Sequence, residues 1–330
     1  MTIIKPGKLI SKNTIIMAAG HHHLFHLIAP TLARENGWFE EEGLTDYEYF
    51  ATGTDERTLF EMGLGQIQFG LDPKPTTVID QFVKGQRVFI IGGWLNKPPF
   101  SYVGAKGIKS IEDLRGKKIG GREWGGIDTQ HMKNHLRSHG IDPDKDVEVV
   151  VTGFPSRVMQ KPLLDSGQIQ AGAVLNSEVA GMVAEGYPLL ADLPALYPHG
   201  YPQRVIVTTE EVLQNRPQLI KPFLKGLIRG FRMMNQDYYK AMEIVDQVVK
   251  RGELRWDTDM DFDLWKTKYP FFEAIPADGM VTMQGLETVV KEERAAGKIP
   301  DSFKMNDILR LEFVKEAAQE IDAKFGQGYK

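Results

Sequence analysis

The sequence predicts an α/β protein of mostly parallel sheets with helices on both faces and a helical C-terminal region. Three observations carry that prediction. Short apolar runs alternate with helix-periodic segments through about residue 200. The series then starts a second time after about residue 105, and beyond about residue 208 the pattern turns helical.

The first unit of the series is "NTIIMAAG", a short apolar strand ending in glycine, followed by "LFHLIAPTLARENGWF". That second stretch sets Phe25, Ile28, Ala29 and Leu32 at helical spacing before Gly37 stops the turn. "TDYEYFAT" alternates as a strand, "DERTLFEMGLG" reads as a glycine-ended helix and "IQFGL" as a buried strand. A helix at "TTVIDQFVKG" and a strand at "RVFIIGGWL" complete the series. The second series runs through a short helix "SIEDLRG", a strand "KKIGG" and a helix "DTQHMKNHLRSHG" with Asp128 or Thr129 as its N-cap. The strand "DVEVVVTG", the helix "PLLDSGQ" and the strand "IQAGAVL" follow. After that come long apolar stripes in "RPQLIKPFLKGLIRGFRMMNQDYYKAMEIVDQVVKR", with Pro217 suited to a helix start.

Composition narrows the partners. With 330 residues, 42% hydrophobic and 25% charged, the chain has the make-up of an ordinary globular protein with a substantial core. Forty basic and forty-four acidic residues leave a net charge of −4 with no run of like charge, which argues against nucleic acid. The absence of cysteine excludes disulfides, thiolate metal sites and cysteine nucleophiles. The N-terminus lacks the apolar core of a secretory signal, and no apolar run approaches the roughly 18 residues a bilayer span needs. The expected compartment is therefore the cytoplasm for the sequence as written, or the periplasm or cell exterior if it is a processed form. Motifs for a Ser–His–Asp hydrolase, a GxxxxGK[ST] phosphate loop and a GxGxxG dinucleotide site are missing.

"LARENGWFEEEGL", "ATGTDERTLFEMGLGQIQFGL", "GIKSIEDLRGKKIGG" and "LLDSGQIQAGAVLNSEVAGMVAEGY" occur in an order and spacing that resembles the type II periplasmic-binding-protein fold. The closest similarity is to its branch of nitrate, sulfonate, taurine and thiamin-precursor solute-binding proteins, over roughly residues 13 to 240. The resemblance implies two lobes around a ligand cleft. Lobe one would hold residues 1–104 and 201–240, lobe two residues 105–200, and helices of residues 241–330 would pack mainly on lobe one.

In open α/β sheets ligands sit beyond the carboxyl ends of the strands. Three loops fit that place: "GHHH", "ATGTDE" and "GREWGGIDT". Helix N-termini carry unpaired N–H groups and favour anions, so Gly53, Thr54 and Asp55 form one expected turn of the site, and Gly125, Gly126, Ile127 and Asp128 its counterpart. Simple helix capping is the competing reading of each turn. Arg122 offers a planar fork to a carboxylate and Trp124 an apolar face to a ring, unless Arg122 pairs with a neighbouring acid. Asn176 joins the expected ligand contacts.

Seven of the eight histidines fall in two short segments, His21, His22, His23 and His26, and His131, His135 and His139. A helix rises about 1.5 Å per residue, so His139 lies about 12 Å from His131 and only His131 is expected to face the ligand. His22 and His23 are expected ligand contacts; if a divalent metal is present, His21, His23 and His26 would hold it. Two function classes remain. One is a solute-binding protein that takes a small organic anion, carboxylate or sulfonate, to an ABC permease without a cofactor. The other is an enzyme on the same scaffold, similar to the dihydroxyphthalate decarboxylases, in which His21, His22, His23 and His131 would hold a metal or donate a proton. The thiamin-pyrimidine synthases need a cysteine-rich motif that is absent.

Overall fold

The computed structural model describes residues 14–20, 24–122, 126–153, 155–254 and 274–329. Its strands are β1 (Ile15–Ala19), β2 (Tyr47–Ala51), β3 (Phe69–Gly70), β4 (Val88–Leu95), β5 (Phe100–Gly104), β6 (Lys117–Gly121), β7 (Val147–Val151), β8 (Ala171–Leu175), β9 (Leu189–Ala191) and β10 (Arg204–Thr209). The helices are α1 (Ile28–Glu35), α2 (Trp38–Glu41), α3 (Asp55–Gly63), α4 (Pro75–Val83), α5 (Ile127–Ser138), α6 (Arg157–Asp165) and α7 (Asn176–Ala184), then α8 (Leu193–Leu196), α9 (Glu210–Asn215), α10 (Ile220–Gln236), α11 (Tyr238–Lys250), α12 (Met283–Ala295) and α13 (Glu312–Phe325). Two compact units result, residues 1–96 with 201–330, and residues 97–200.

The first unit holds a five-stranded sheet in the order β2-β1-β3-β10-β4. β1 runs parallel to β2 and β3, and β10 is reversed. β1 is buried along its whole length, as its unbroken apolar run requires of a strand covered on both faces. The amphipathic α10 buries Ile220, Phe223, Leu224, Leu227, Ile228 and Phe231 on one stripe and packs on α1 and α13. Its Gly230 allows that approach, because an added Cβ would lie 2.7 Å from the Ala29 carbonyl. At the other end of the sheet, β4 reads "VFIIGGWL" because its glycines sit under a returning segment. Gly93 N donates to Gly279 O at 2.7 Å, and a Cβ there would meet Met280 O at 2.8 Å.

The second unit repeats the plan, with order β7-β6-β8-β5-β9, β6 parallel to β7 and β8, and β5 reversed. Its core lies on both faces. Tyr102 joins Ile119, Met132 and Leu136 under α5, while the next residue, Val103, joins Leu164, Val174 and Met182 under α6 and α7.

The repeated "GQIQ" strings explain the repeat. Gln68 accepts from Ile16 N at 2.8 Å and donates to Gly65 O at 3.0 Å. Gln170 accepts from Lys118 N at 3.0 Å and donates to Gly167 O at 2.8 Å. Each glutamine ties the turn before the third strand to the start of the first.

Two boundaries differ from the sequence-based expectation. Residues 97–104, expected in lobe one, belong to the second unit, because β5 pairs residue by residue with β8 from Phe100↔Leu175 to Gly104↔Ala171. The helix expected to be capped by Asp128 or Thr129 starts earlier, at Ile127 with Gly126 as N-cap, which turns Asp128 inward.

Candidate functional site

The strand ladders decide which loops correspond. Ala19 lies opposite Ala51 in one sheet and Gly121 opposite Val151 in the other. Just beyond, Thr52 N and Oγ1 both donate to Ala19 O, and Thr152 N and Oγ1 both donate to Gly121 O. Glycines with left-handed backbone follow, Gly53 at φ 106° and Gly153 at φ 81°. Thr54 then caps α3 by accepting from Arg57 N, and Ser156 caps α6 by accepting from Met159 N. The counterpart of residues 53–55 is therefore residues 153–156, not residues 125–128. The loop after β1 corresponds instead to the loop after β6. The signal that finds residues 152–156 is the second "TG" at a strand end, which the expected site leaves out.

In the first unit, this strand edge holds two buried carboxylates. Asp55, 2% exposed, accepts from Lys74 N at 3.0 Å and pairs with the buried Arg204 at 3.3 Å. Asp55 was expected to meet a ligand; its position at the start of α3 turns the carboxylate under the loop, where it anchors the returning strand. Asp72, fully buried, accepts from Gly20 N at 2.7 Å and meets His26 Nδ1 at 2.7 Å. In His26, a conditional metal ligand from sequence, it is Nδ1 that lies against that carboxylate. Gly20 must be glycine, since a Cβ would lie 2.3 Å from Asp55 Oδ1 and 2.8 Å from Asp55 N. Gly53 is half-buried and Thr54 exposed, so these two remain open to a ligand. His21, His22 and His23 lie outside the described residues.

In the second unit, Arg122 is half-buried at the end of β6, and its backbone N–H donates to Asp128 Oδ2 at 3.1 Å. Burial pushes the Asp128 carboxyl above its usual range, while the Arg122 guanidinium and the N–H groups of Arg122, Thr129 and Asp128 itself pull it down. Part of the N–H array at the start of α5, expected to meet a ligand, is thus taken up by Asp128. Gly126 is buried; Trp124 and Gly125 lie outside the described residues. Glu178 accepts from Arg157 N at 2.8 Å and Leu175 N at 3.1 Å, tying the starts of α6 and α7 together, and burial raises its carboxyl. Asn176, an expected ligand contact, uses both ends of its amide within the unit. Nδ2 donates to Pro98 O at 3.0 Å and Oδ1 accepts from Ser101 Oγ at 2.9 Å.

His131, expected to face the ligand, lies in the core of its unit. The inward stripe of α5 is Asp128, His131, Met132 and Leu136, and His131, 1% exposed, packs between Phe100 and Tyr197 with Nδ1 3.2 Å from the Tyr197 hydroxyl. His135 and His139 touch at 4.7 Å between ring centres, and His139 Nδ1 meets Glu112 at 2.8 Å. Burial, then the neighbouring His139, lower the His135 imidazole. Among the described residues, no three His, Asp or Glu side chains converge as a metal shell.

A family model described as "NMT1/THI5 like" matches residues 26–240. No curated protein matches the chain in sequence. Solved structures cover it almost end to end. The alkanesulfonate-binding protein SsuA from Xanthomonas axonopodis pv. citri, bound to MOPS, superposes with a TM-score of 0.61 at 13% identity, over 92% of this chain and 100% of its own. The periplasmic aliphatic sulphonate binding protein SsuA from Escherichia coli gives 0.62 at 12%, over 90% and 97%. The periplasmic nitrate-binding protein NrtA from Synechocystis PCC 6803 gives 0.59 at 13%, over 95% and 90%. At such identities the shared property is the fold, which is that of type II periplasmic binding proteins.

Proposed function

The chain belongs to the NMT1/THI5 like family, and from that premise we propose that it is a solute-binding protein for a small organic anion, carboxylate or sulfonate, of the kind that serves an ABC importer. The observation that carries this reading is the doubled strand-end arrangement. In each unit the same Thr-Gly turn, Thr52 with Gly53 and Thr152 with Gly153, follows the second parallel strand, is tied to the end of the first by the threonine, and leads into a capped helix start. Backbone N–H groups at such starts favour anions. The half-buried Arg122 supplies a guanidinium fork suited to carboxylate or sulfonate oxygens. Superposition with proteins named for alkanesulfonate and nitrate binding supports the same ligand charge. Among the described residues no helix is long and apolar enough to cross a membrane. In this reading the partner is an ABC permease, the compartment is the periplasm or cell exterior, and binding needs no cofactor.

The test is native mass spectrometry of the purified protein, followed by calorimetry with ethanesulfonate, MOPS, benzoate and nitrate. A retained organic anion, or saturable binding of one of the organic probes that weakens in Arg122→Ala, is expected. Binding by none of the four probes, with no retained anion, would overturn the reading. A second reading, a decarboxylase on the same scaffold, draws its support from the buried His26–Asp72 pair. Release of carbon dioxide from a dihydroxyphthalate is its assay.

A further inference from the structure

Three side chains of the second unit meet at the far end of α5, away from the strand edge where that helix starts. His135 lies in the last turn of α5 and His139 is its C-cap, so the two share one helix face at a spacing of four residues. Along the helix, His139 stands about 18 Å from Ile127. Glu112 comes from the short turn of helix Glu112–Leu114 and accepts a hydrogen bond from His139 Nδ1 at 2.8 Å. Solute binding at the strand edge uses none of the three.

The hydrogen bond to Glu112 decides which nitrogen of His139 is available. Glu112, held at about 2, is ionised at neutral pH and only accepts, so the proton of a neutral His139 sits on Nδ1 and the lone pair on Nε2. Metal-bound histidines are commonly set in this way, with the other ring N–H on a carboxylate. His135 is prepared differently. Its half-buried imidazole is lowered first by burial and then by His139, so protons compete less with a metal for its nitrogen. The separation of the rings fits the same use. Zinc stands about 2.0 to 2.1 Å from an imidazole nitrogen, which places two rings on one ion with centres about 4.5 to 5.2 Å apart, for angles at the metal between right and tetrahedral. The rings of His135 and His139 are 4.7 Å apart between centres. With side chains 36% and 57% exposed, His139 and Glu112 are open to an ion from solution.

We propose that His135 and His139 form a peripheral site for a divalent ion of the zinc and copper class, with water in the remaining positions and Glu112 as the positioning residue that sets His139. Imidazole suits such ions, whereas magnesium and calcium call for oxygen ligands. Two protein ligands agree with the lack of a three-residue metal shell among the described residues. The ion would tie together two positions one turn apart at the end of α5. The inference goes beyond the solute-binding reading and holds whether the strand edge binds an anion or carries a reaction.

The experiment is calorimetry with zinc chloride on chelator-stripped full-length protein. The reference chain carries His21→Gln, His22→Gln and His23→Gln, so that metal held by those side chains does not count. Into it are placed His135→Gln, His139→Gln and Glu112→Gln one at a time, with His199→Gln, an exposed histidine outside the pair, as control. The expected result is saturable binding of one zinc per chain, weakened about tenfold or more by either change in the pair and by Glu112→Gln, and unchanged in the control. Copper(II) should bind more tightly than zinc, and magnesium should not bind. No saturable zinc binding in the reference chain, or binding that survives both His135→Gln and His139→Gln, overturns the proposal. Unchanged affinity in Glu112→Gln overturns the part given to Glu112. The 72° between the ring planes also describes a plain edge contact, and such a contact predicts no response to zinc. Should a variant fail to fold, nitrogen-15 signals of His135 and His139 in the reference chain decide alone. A shift of both at one equivalent of zinc supports the site, and still signals overturn it. No organic anion enters the experiment, so failure here is separate from failure of the binding reading.

Discussion

Gln68 and Gln170 make the same two hydrogen bonds in two different units, each accepting from the backbone N–H of the first parallel strand and donating to the carbonyl three residues before itself. Their surroundings differ. Gln68 is 7% exposed and its bond to Ile16 N is buried, whereas the bonds of Gln170 are open to water. Removing Gln68 leaves a buried N–H without its partner, while water replaces Gln170. Gln68→Ala should therefore cost about 2 kcal/mol and Gln170→Ala about 0.5 to 1 kcal/mol. Urea unfolding of both variants checks this, and equal losses would contradict the burial argument.

Much of this repeat is legible in the sequence, because strands covered on both faces appear as short apolar runs and "GQI" recurs. Which loops correspond is not legible in the same way. Matching by glycine content pairs residues 53–55 with residues 125–128, but the correspondence is set by the ladder, where Ala51 and Val151 end equivalent strands. The partners of Asp55 and Asp72 are invisible for another reason. Arg204 lies far along the chain on a strand that returns to the first sheet, and a lone arginine at a strand start carries no local signal. His131 misleads because three histidines at helical spacing suggest one shared face with its first member turned to the ligand; a helix starting at Ile127 puts that first one in the core.

The Asp55–Arg204 pair makes the second prediction. Both side chains are nearly shut off from water, 1% and 7% exposed, so deleting one leaves the other charge buried. Asp55→Ala should lose about 3 to 5 kcal/mol of unfolding free energy, and adding Arg204→Met should recover part of it by removing the stranded cation. Losses that simply add in the double variant would show that the two residues act independently.

Two glycines should respond in opposite directions to one added methyl group. Gly20→Ala drives its Cβ to 2.3 Å from Asp55 Oδ1 and against the backbone of α3, which cannot move aside cheaply. A loss of about 3 kcal/mol or more is expected, or failure to accumulate as folded protein. Gly181 lies exposed in α7, where a Cβ would have only ordinary contact with Arg157 at 3.5 Å. Gly181→Ala should stabilise by about 0.5 to 1 kcal/mol through helix propensity, read as a higher midpoint in urea.

Glu112 and His139 give a prediction in pH. The hydrogen bond from His139, helped by Ser110 and the residue's own backbone, holds the Glu112 carboxyl at about 2, against an ordinary 4.5. A carboxyl whose folded value is depressed adds stability above its unfolded value and loses it as pH falls through the folded one. The window therefore runs from the ordinary glutamate range down to about 2. Both partners are exposed at the surface, so salt should screen the effect and overall stability should register little of it. The sensitive observable is the Glu112 carboxyl carbon in an NMR titration. In His139→Gln its midpoint should climb toward 4.5, and in the parent it should drift the same way with added salt. An identical low midpoint in the variant would place the cause in the backbone of the turn and not in the imidazole.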